Sequence, residues 1–158
     1  MTENRIIAVN NASFETGKSK NTLCYSADLS WWRAYHHLVL QPPSQRWSCN
    51  AEAVRFYGLN KHERFPGGFN SGQQAIHLAA ALGARRIILL GYDCSVRNGH
   101  HFHGVHKFGL SNPGINTTLE WQHQFLRLAL SLPHVDIINC SRYTELICFK
   151  TKKIDDVF

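Results

Sequence analysis

The sequence lacks several features that define common protein classes. No apolar run approaches the roughly 20 residues of a membrane-spanning helix, and the polar start has neither the basic region nor the apolar region of a signal peptide. The five cysteines form no Cys-x-x-Cys pair. We therefore expect a cytoplasmic protein whose cysteines are small packing residues rather than a disulfide framework.

Two signatures of nucleotide cofactors are missing as well. No Gly-x-Gly-x-x-Gly follows the first predicted strand, and no P-loop occurs anywhere in the chain. These absences argue against NAD, FAD and Walker-type ATP binding, and no motif indicates a firmly bound cofactor.

The composition is that of a folded domain. Hydrophobic residues make up 44% of the 158 positions and charged residues 18%, which excludes a disordered chain. At roughly 100–200 residues per domain, the length predicts a single domain over residues 1–158. The net charge of +6 favours an anionic partner. Because the basic positions form no stripe with interleaved aromatics, we expect a small nucleotide ligand rather than nucleic acid. A homodimer stays open, since no feature marks a dimer surface.

The apolar pattern predicts strands alternating with helices. Strands are predicted at Arg5–Val9, Thr22–Tyr25, Arg46–Ala51, Arg86–Leu90, Val135–Asn139 and Glu145–Phe149. Helices are predicted at Asp28–His36, at Ser71–Leu82, and from Thr117 or Thr118 to about Leu132. We expect Ser71 to cap the central helix and Gly83 to end it. The alternation predicts an α/β fold, a single Rossmann-like three-layer domain with a mainly parallel sheet.

Small polar residues follow the predicted strands and precede the central helix. In open α/β sheets, ligands bind beyond the carboxyl ends of the strands, so these residues are expected to line one crevice. Asn and Asp side chains can bind ribose hydroxyls and base edges, and a helix N-terminus favours a phosphate. The predicted nucleotide-binding residues are Asn10, Asn11, Ser13, Asp28, Asn70, Ser71, Gly72, Gly91 and Asp93. Capping of strands and helices is the alternative role at each position.

A histidine-rich segment, Gly99-His100-His101-Phe102-His103-Gly104-Val105-His106, follows the predicted strand at 86–90. Histidine is the usual general base near neutral pH and a common metal ligand. His101, His103 and His106 are therefore the candidate catalytic residues. The spacing matches no specific metal motif, so the metal reading, with Asp93 as a further ligand, and an inert exposed loop both stay open.

Several motifs resemble a known superfamily. The stretch NSGQQAIHLAAALGARRIILLGYD (70–93) resembles the core of the bacterial sialyltransferase-like superfamily, which also includes proteins like the 6-hydroxymethylpterin diphosphokinases. The start RIIAVNNASF and the end VDIINCSRYTEL are similar to that group's first and last strand regions. Over most of its length the chain also resembles short phage and prophage proteins of this kind. The matching segments are Asp28 to Trp32, Ser71 to Ala75, Leu90 to Asp93 and His101 to His106.

The resemblance implies a nucleotide crevice. It implies that Asn10 and Gly91 contact the nucleotide, and that residues 70–72 contact ribose and carboxylate groups. It implies further that a histidine of the 101–106 segment acts as the base. The chain departs from the family at its first-loop glycines, replaced by Val9 and Asn11, and in lacking the long lid before the histidines.

Three functions follow from these patterns. The first is a metal-independent, nucleotide-sugar-dependent glycosyltransferase that uses a CMP- or UDP-type donor and a histidine base. The second is a catalytically inactive phage protein that binds a nucleotide. The third is a metal-dependent phosphotransferase or hydrolase that uses Asp93 and the histidine segment.

Overall fold

A computed structural model describes residues 4–17, 19–68, 70–95 and 115–158. Within these ranges the protein is a mixed α/β fold with one sheet of four strands and one of three, in both of which every pair is parallel. The predicted α/β class with parallel strands is therefore confirmed. The chain divides into two compact units, residues 1–78 and 79–158. The expectation of a single domain stays a prediction.

The first unit contains the four-stranded sheet, whose spatial order follows the chain, β1-β2-β3-β4. Its strands are β1 (Ile6–Val9), β2 (Thr22–Tyr25), β3 (Arg46–Ser48) and β4 (Asn60–Lys61). Its helices are α1 (Ala12–Glu15), α2 (Leu29–Tyr35), α3 (Ala51–Tyr57) and the greater part of α4 (Ser71–Ala81), whose last three residues belong to the second unit. One helix follows each strand, as parallel pairing requires.

Alternating side chains on the strands give this sheet two covered faces. On one face Tyr25 packs with Ala75 and Leu78 of α4, beside apolar residues of β1 and β3. The next residue back along β2, Cys24, is fully buried on the opposite face, where Ser13 of α1 contacts it. The apolar runs of β1 and β2 are thus those of a sheet with helices on both sides.

The second unit contains the three-stranded sheet, in the order β5-β6-β7. Its strands are β5 (Arg86–Leu89), β6 (Asp136–Asn139) and β7 (Lys150–Thr151), and its long helix is α5 (Ile115–Ser131). Phe125 and Leu128 of α5 are buried, whereas Leu119, Leu126 and Leu130 are exposed. The helix therefore buries one face, and several of its leucines lie on the face that is exposed.

Most predicted elements are confirmed, and the errors have local causes. The strand predicted at 46–51 ends at Ser48, because the Asn50 side chain accepts from the Ala53 N–H and starts α3. No strand covers 145–149; the final strand is instead β7, which pairs with β6.

Three further expectations concern the central segment. Ser71 is the first helical residue and not the cap, since Asn70 Oδ1 accepts from the Gln73 N–H at 3.1 Å. Gly83 does end α4, at φ +92°, with the Ala84 N–H bonded to the Ala79 carbonyl as in a Schellman motif. The strand predicted at 86–90 is β5, which ends at Leu89, and its first residue, Arg86, is exposed.

Candidate functional site

The carboxyl ends of β1 and β2 meet the N-terminus of α4 in the first unit. Asn10 follows β1 directly, and its N–H donates to the Tyr25 carbonyl at the end of β2 (2.9 Å). Its backbone lies at φ +51°, a left-handed conformation that Asn tolerates better than most residues. Among the described residues, no donor reaches its buried Oδ1 atom. The side-chain oxygen of Asn10 is therefore a polar atom that the described part of the fold leaves unsatisfied.

Asp28, just beyond β2, is the acidic residue of this edge. The Ser71 hydroxyl donates to Asp28 Oδ2 (3.2 Å) and accepts from the Ala27 N–H (3.0 Å), which ties the β2 loop to the start of α4. Asp28 is exposed to solvent, yet the surrounding protein is dense enough that desolvation raises the pKa of its carboxyl group. Within the described part of the chain, no donor bonds to Oδ1. One carboxylate oxygen is thus fixed by the fold, and the other is open to a ligand.

The residues before and within the first turn of α4 form hydrogen bonds within the protein. The Asn70 side chain is the helix cap described above, and its carbonyl accepts from the Gln74 N–H (3.1 Å). Ser71 is buried and Gly72 is half-buried. The structure therefore brings two predicted nucleotide contacts, Ser71 and Asp28, together through a direct hydrogen bond.

Two predicted site residues after β1 serve the packing of this unit. Asn11 Oδ1 accepts from the Trp31 indole N–H at 2.8 Å, and this holds the buried Trp31 against the first loop. Ser13 is fully buried in α1. These contacts favour a structural role for both residues, and their predicted nucleotide contacts stay predictions.

A buried chain of hydrogen bonds, which the sequence did not reveal, runs from β2 to α4. Tyr25 Oη lies 3.1 Å from His62 Nδ1, and His62 Nε2 lies 2.9 Å from His77 Nδ1. His62 follows β4 and His77 lies in the second turn of α4. Burial, followed by the charge of His77, lowers the pKa of His62 to about 4, against a smaller opposing effect of Glu63.

In the second unit, the loops after β5 and β6 are joined by a polar network. Asn139 Nδ2 donates to the Tyr92 carbonyl (3.2 Å) and to Thr144 Oγ1 (3.0 Å). Asn139 Oδ1 accepts from the Ser141 hydroxyl at 2.6 Å, and Ser141 Oγ accepts from the Tyr92 N–H at 2.8 Å. The side chains of Asn139 and Ser141, at the end of β6, therefore hold the two loops together by hydrogen bonds.

This network positions the two remaining described candidates. Gly91 lies at φ +74°, and Asp93 is exposed with the pKa of its carboxyl raised by desolvation. Both belong to the second unit, and their grouping with the residues of the first unit stays a prediction. The candidate catalytic residues His101, His103 and His106 lie outside the described residues.

The described residues contain no group of three or more His, Cys, Asp and Glu side chains that could hold a metal ion. None of the described helices is both long enough and apolar enough to cross a membrane.

No family model, curated protein or solved structure matches the chain in the comparisons with known proteins.

Proposed function

We propose that the protein binds a nucleotide at the carboxyl edge of the four-stranded sheet and uses a nucleotide-sugar as a glycosyl donor. In this proposal the donor is of the CMP or UDP type and a histidine of residues 101–106 is the base. The protein acts, as the phage resemblance implies, in the cytoplasm of a host cell. The observation that carries the proposal is the Asp28 carboxylate, with one oxygen bonded to Ser71 and the other open.

The chemistry of this edge suits the hydroxyl-bearing part of a nucleotide. A carboxylate oxygen accepts hydrogen bonds from ribose hydroxyls. The Asn10 side-chain oxygen is buried, and in this proposal its side chain turns toward the ligand to accept from a hydroxyl or from a base amino group. Both oxygens lie beyond the ends of adjacent parallel strands, where ligands of α/β proteins bind.

Charge decides which end of the nucleotide lies against Asp28. A phosphate there would face a carboxylate that burial already disfavours in its charged form. Ribose hydroxyls would instead stabilise the carboxylate by donating to it. We therefore place the ribose at Asp28 and the phosphate farther away, where the positive net charge of the chain attracts it.

Thermal unfolding with CMP, UDP, GDP and ATP, each with and without Mg²⁺, tests the binding. A ligand present at about 100 times its Kd stabilises the folded state by about 2.7 kcal/mol, which is a shift of several degrees in a protein of this size. A shift with one nucleotide in the presence of a chelator supports the proposal. A shift that needs the metal favours the phosphotransferase or hydrolase instead, and no shift contradicts nucleotide binding.

The Asp28→Asn variant locates the site. It keeps the side-chain shape but removes the charge, so the nucleotide-dependent shift is expected to shrink markedly. Asp155→Asn makes the same change at an exposed position of the second unit and is the matched control. Release of free nucleotide from CMP- and UDP-linked sugars then separates a transferase from a protein that only binds.

A further inference from the structure

One stripe along the long helix α5 of the second unit is apolar and exposed. Leu119, Leu126 and Leu130 are 51%, 46% and 73% exposed. With His123, which is also exposed, they lie within about 60° of one another around the helix axis. The buried Leu128 lies on the opposite side. Positions spaced by four, three and four residues form the seam through which two helices pack in a coiled coil.

Two charged residues border this α5 stripe on one side. Glu120 and Arg127 are the only Asp, Glu, Lys or Arg residues among the 17 residues of α5, and both are exposed. They lie two turns apart, about 10 Å along the axis, which is beyond the spacing at which side chains of one helix pair. Gln124 Nε2 donates to Glu120 Oε1 at 3.2 Å, which holds the carboxylate against its own helix. A surface with the opposite order of charges would therefore complement both groups.

The helix α5 itself has that opposite order when it is turned end over end. In an antiparallel pair related by a two-fold axis between positions 124 and 125, every contact occurs twice. Leu119 then faces the partner's Leu130, and the two inner positions of the stripe face each other in the same way. On its charged side, Glu120 lies beside the partner's Arg127, within about 3 Å of the same level along the axis. One register therefore matches the apolar positions and the charges together.

We propose that the protein forms a homodimer through an antiparallel pair of α5 helices. A second copy of this chain fits the stripe because the stripe is complementary to itself in both apolar contacts and charge. His123 faces the partner's Leu126 in this pair, and an imidazole ring covers an apolar side chain while its polar edge stays in water.

The length of the stripe sets the strength of this dimer. The stripe spans about three turns, so the contact is small for a specific interface, and the dimer dissociates on dilution. In dilute solution the stripe is exposed, and dimer formation adds nothing to the stability of the folded chain. The dimer uses neither the candidate nucleotide site nor residues 101–106, so it does not depend on the proposed function.

Sedimentation velocity over a concentration series up to about 1 mM measures the dimer. Wild type is expected to pass from monomer to dimer as the concentration rises. Leu130→Glu places carboxylates against the apolar side chains of the pair and is expected to abolish the dimer. Ile147→Glu is the matched control at a side chain that is 96% exposed and lies outside α5, and it should leave the dissociation constant unchanged. A wild type that stays monomeric, or an equal effect of the two variants, overturns the proposal.

Charge swaps test the antiparallel register. Glu120→Arg and Arg127→Glu each place like charges side by side twice in the dimer, and each is expected to raise the dissociation constant by about tenfold or more. The double variant, and an equal mixture of the two single variants, bring opposite charges together again and are expected to return it to within about threefold of the wild-type value. Arg85→Glu makes the same charge change as Arg127→Glu at an exposed position outside α5 and is the control.

The swaps also distinguish the two possible directions of the helices. In a parallel pair, positions 120 and 127 would lie beside the uncharged positions 122 and 129 of the partner, so the single swaps would have little effect. Single swaps without effect, or a mixture that does not recover, therefore overturn the antiparallel dimer.

Discussion

The buried imidazole of His62 makes a definite prediction about stability and pH. In the folded protein it stays neutral because burial, followed by the charge of His77, lowers its pKa from 6.5 to about 4. In the unfolded chain it binds a proton as soon as the pH falls below about 6.5. The unfolded state then holds more protons, so acid favours unfolding. The His62 contribution to stability is therefore complete above pH 6.5 and is lost as the pH falls toward 4.

The size of the loss follows from the shift. Each unit of pKa difference corresponds to about 1.4 kcal/mol, so the full loss is about 3 kcal/mol and is reached below about pH 4. At about pH 5 the unfolded histidine is largely protonated and the folded one is not, which gives a loss of about 2 kcal/mol. For a protein of this length that loss lowers Tm by about 4–8 °C.

Urea unfolding of wild type and His62→Gln at about pH 7.5 and about pH 5 measures this loss. The variant is expected to be less stable at both pH values, since two hydrogen bonds are lost, but its stability should depend less on pH. The quantity that matters is the difference between the two pH-dependent changes. His134→Gln, at an exposed histidine, is the control. If wild type and His62→Gln lose equal stability on acidification, His62 is not the buried neutral group described above.

Two further predictions concern packing and the candidate site. Ser71→Ala removes the partner of both the Ala27 N–H and the Asp28 carboxylate, and is expected to cost about 1–3 kcal/mol in urea unfolding; an unchanged midpoint would show that this bond does not hold the β2 loop. Leu128→Ala, at a fully buried position of α5, is expected to cost about 2–5 kcal/mol, whereas the exposed Leu130→Ala stays within about 0.5 kcal/mol. Equal costs at the two positions would contradict the orientation of the helix.

Strong local signals explain which elements the sequence revealed. The branched apolar residues at 6–9 and 137–138 predict strands because branched side chains favour the extended conformation. β4 has only two residues, both polar, and owes its existence to pairing with β3, which no local pattern reports. Asn50 is a typical cap residue, and it was the available signal for α3 that the strand interpretation of 46–51 overlooked.

The candidate site shows a different limit. Position along the chain places Asn10, Asp28 and Ser71 at one sheet edge, because the ends of parallel strands converge there. Position along the chain does not reveal which of these polar side chains form hydrogen bonds within the fold. Asn11 is bonded to Trp31 and Asn139 to the loop at Tyr92, and both partners come from a different element. The bonds joining Tyr25 to His62 and His62 to His77 span 37 and 15 residues, so no local motif encodes them.

These contacts suggest a criterion for separating ligand contacts from structural ones at such an edge. A strand-end side chain whose polar atoms are all bonded within the fold would have to give up a bond to bind a ligand, and that costs about 1 kcal/mol or more. Asn139 belongs to this class, since its amide donates twice and its carbonyl oxygen accepts from Ser141. Asn10 and Asp28 do not, because each keeps an oxygen that no described donor reaches. In the proposed function, a ligand that brings hydroxyl donors gains a bond at the second Asp28 oxygen without breaking any bond of the fold.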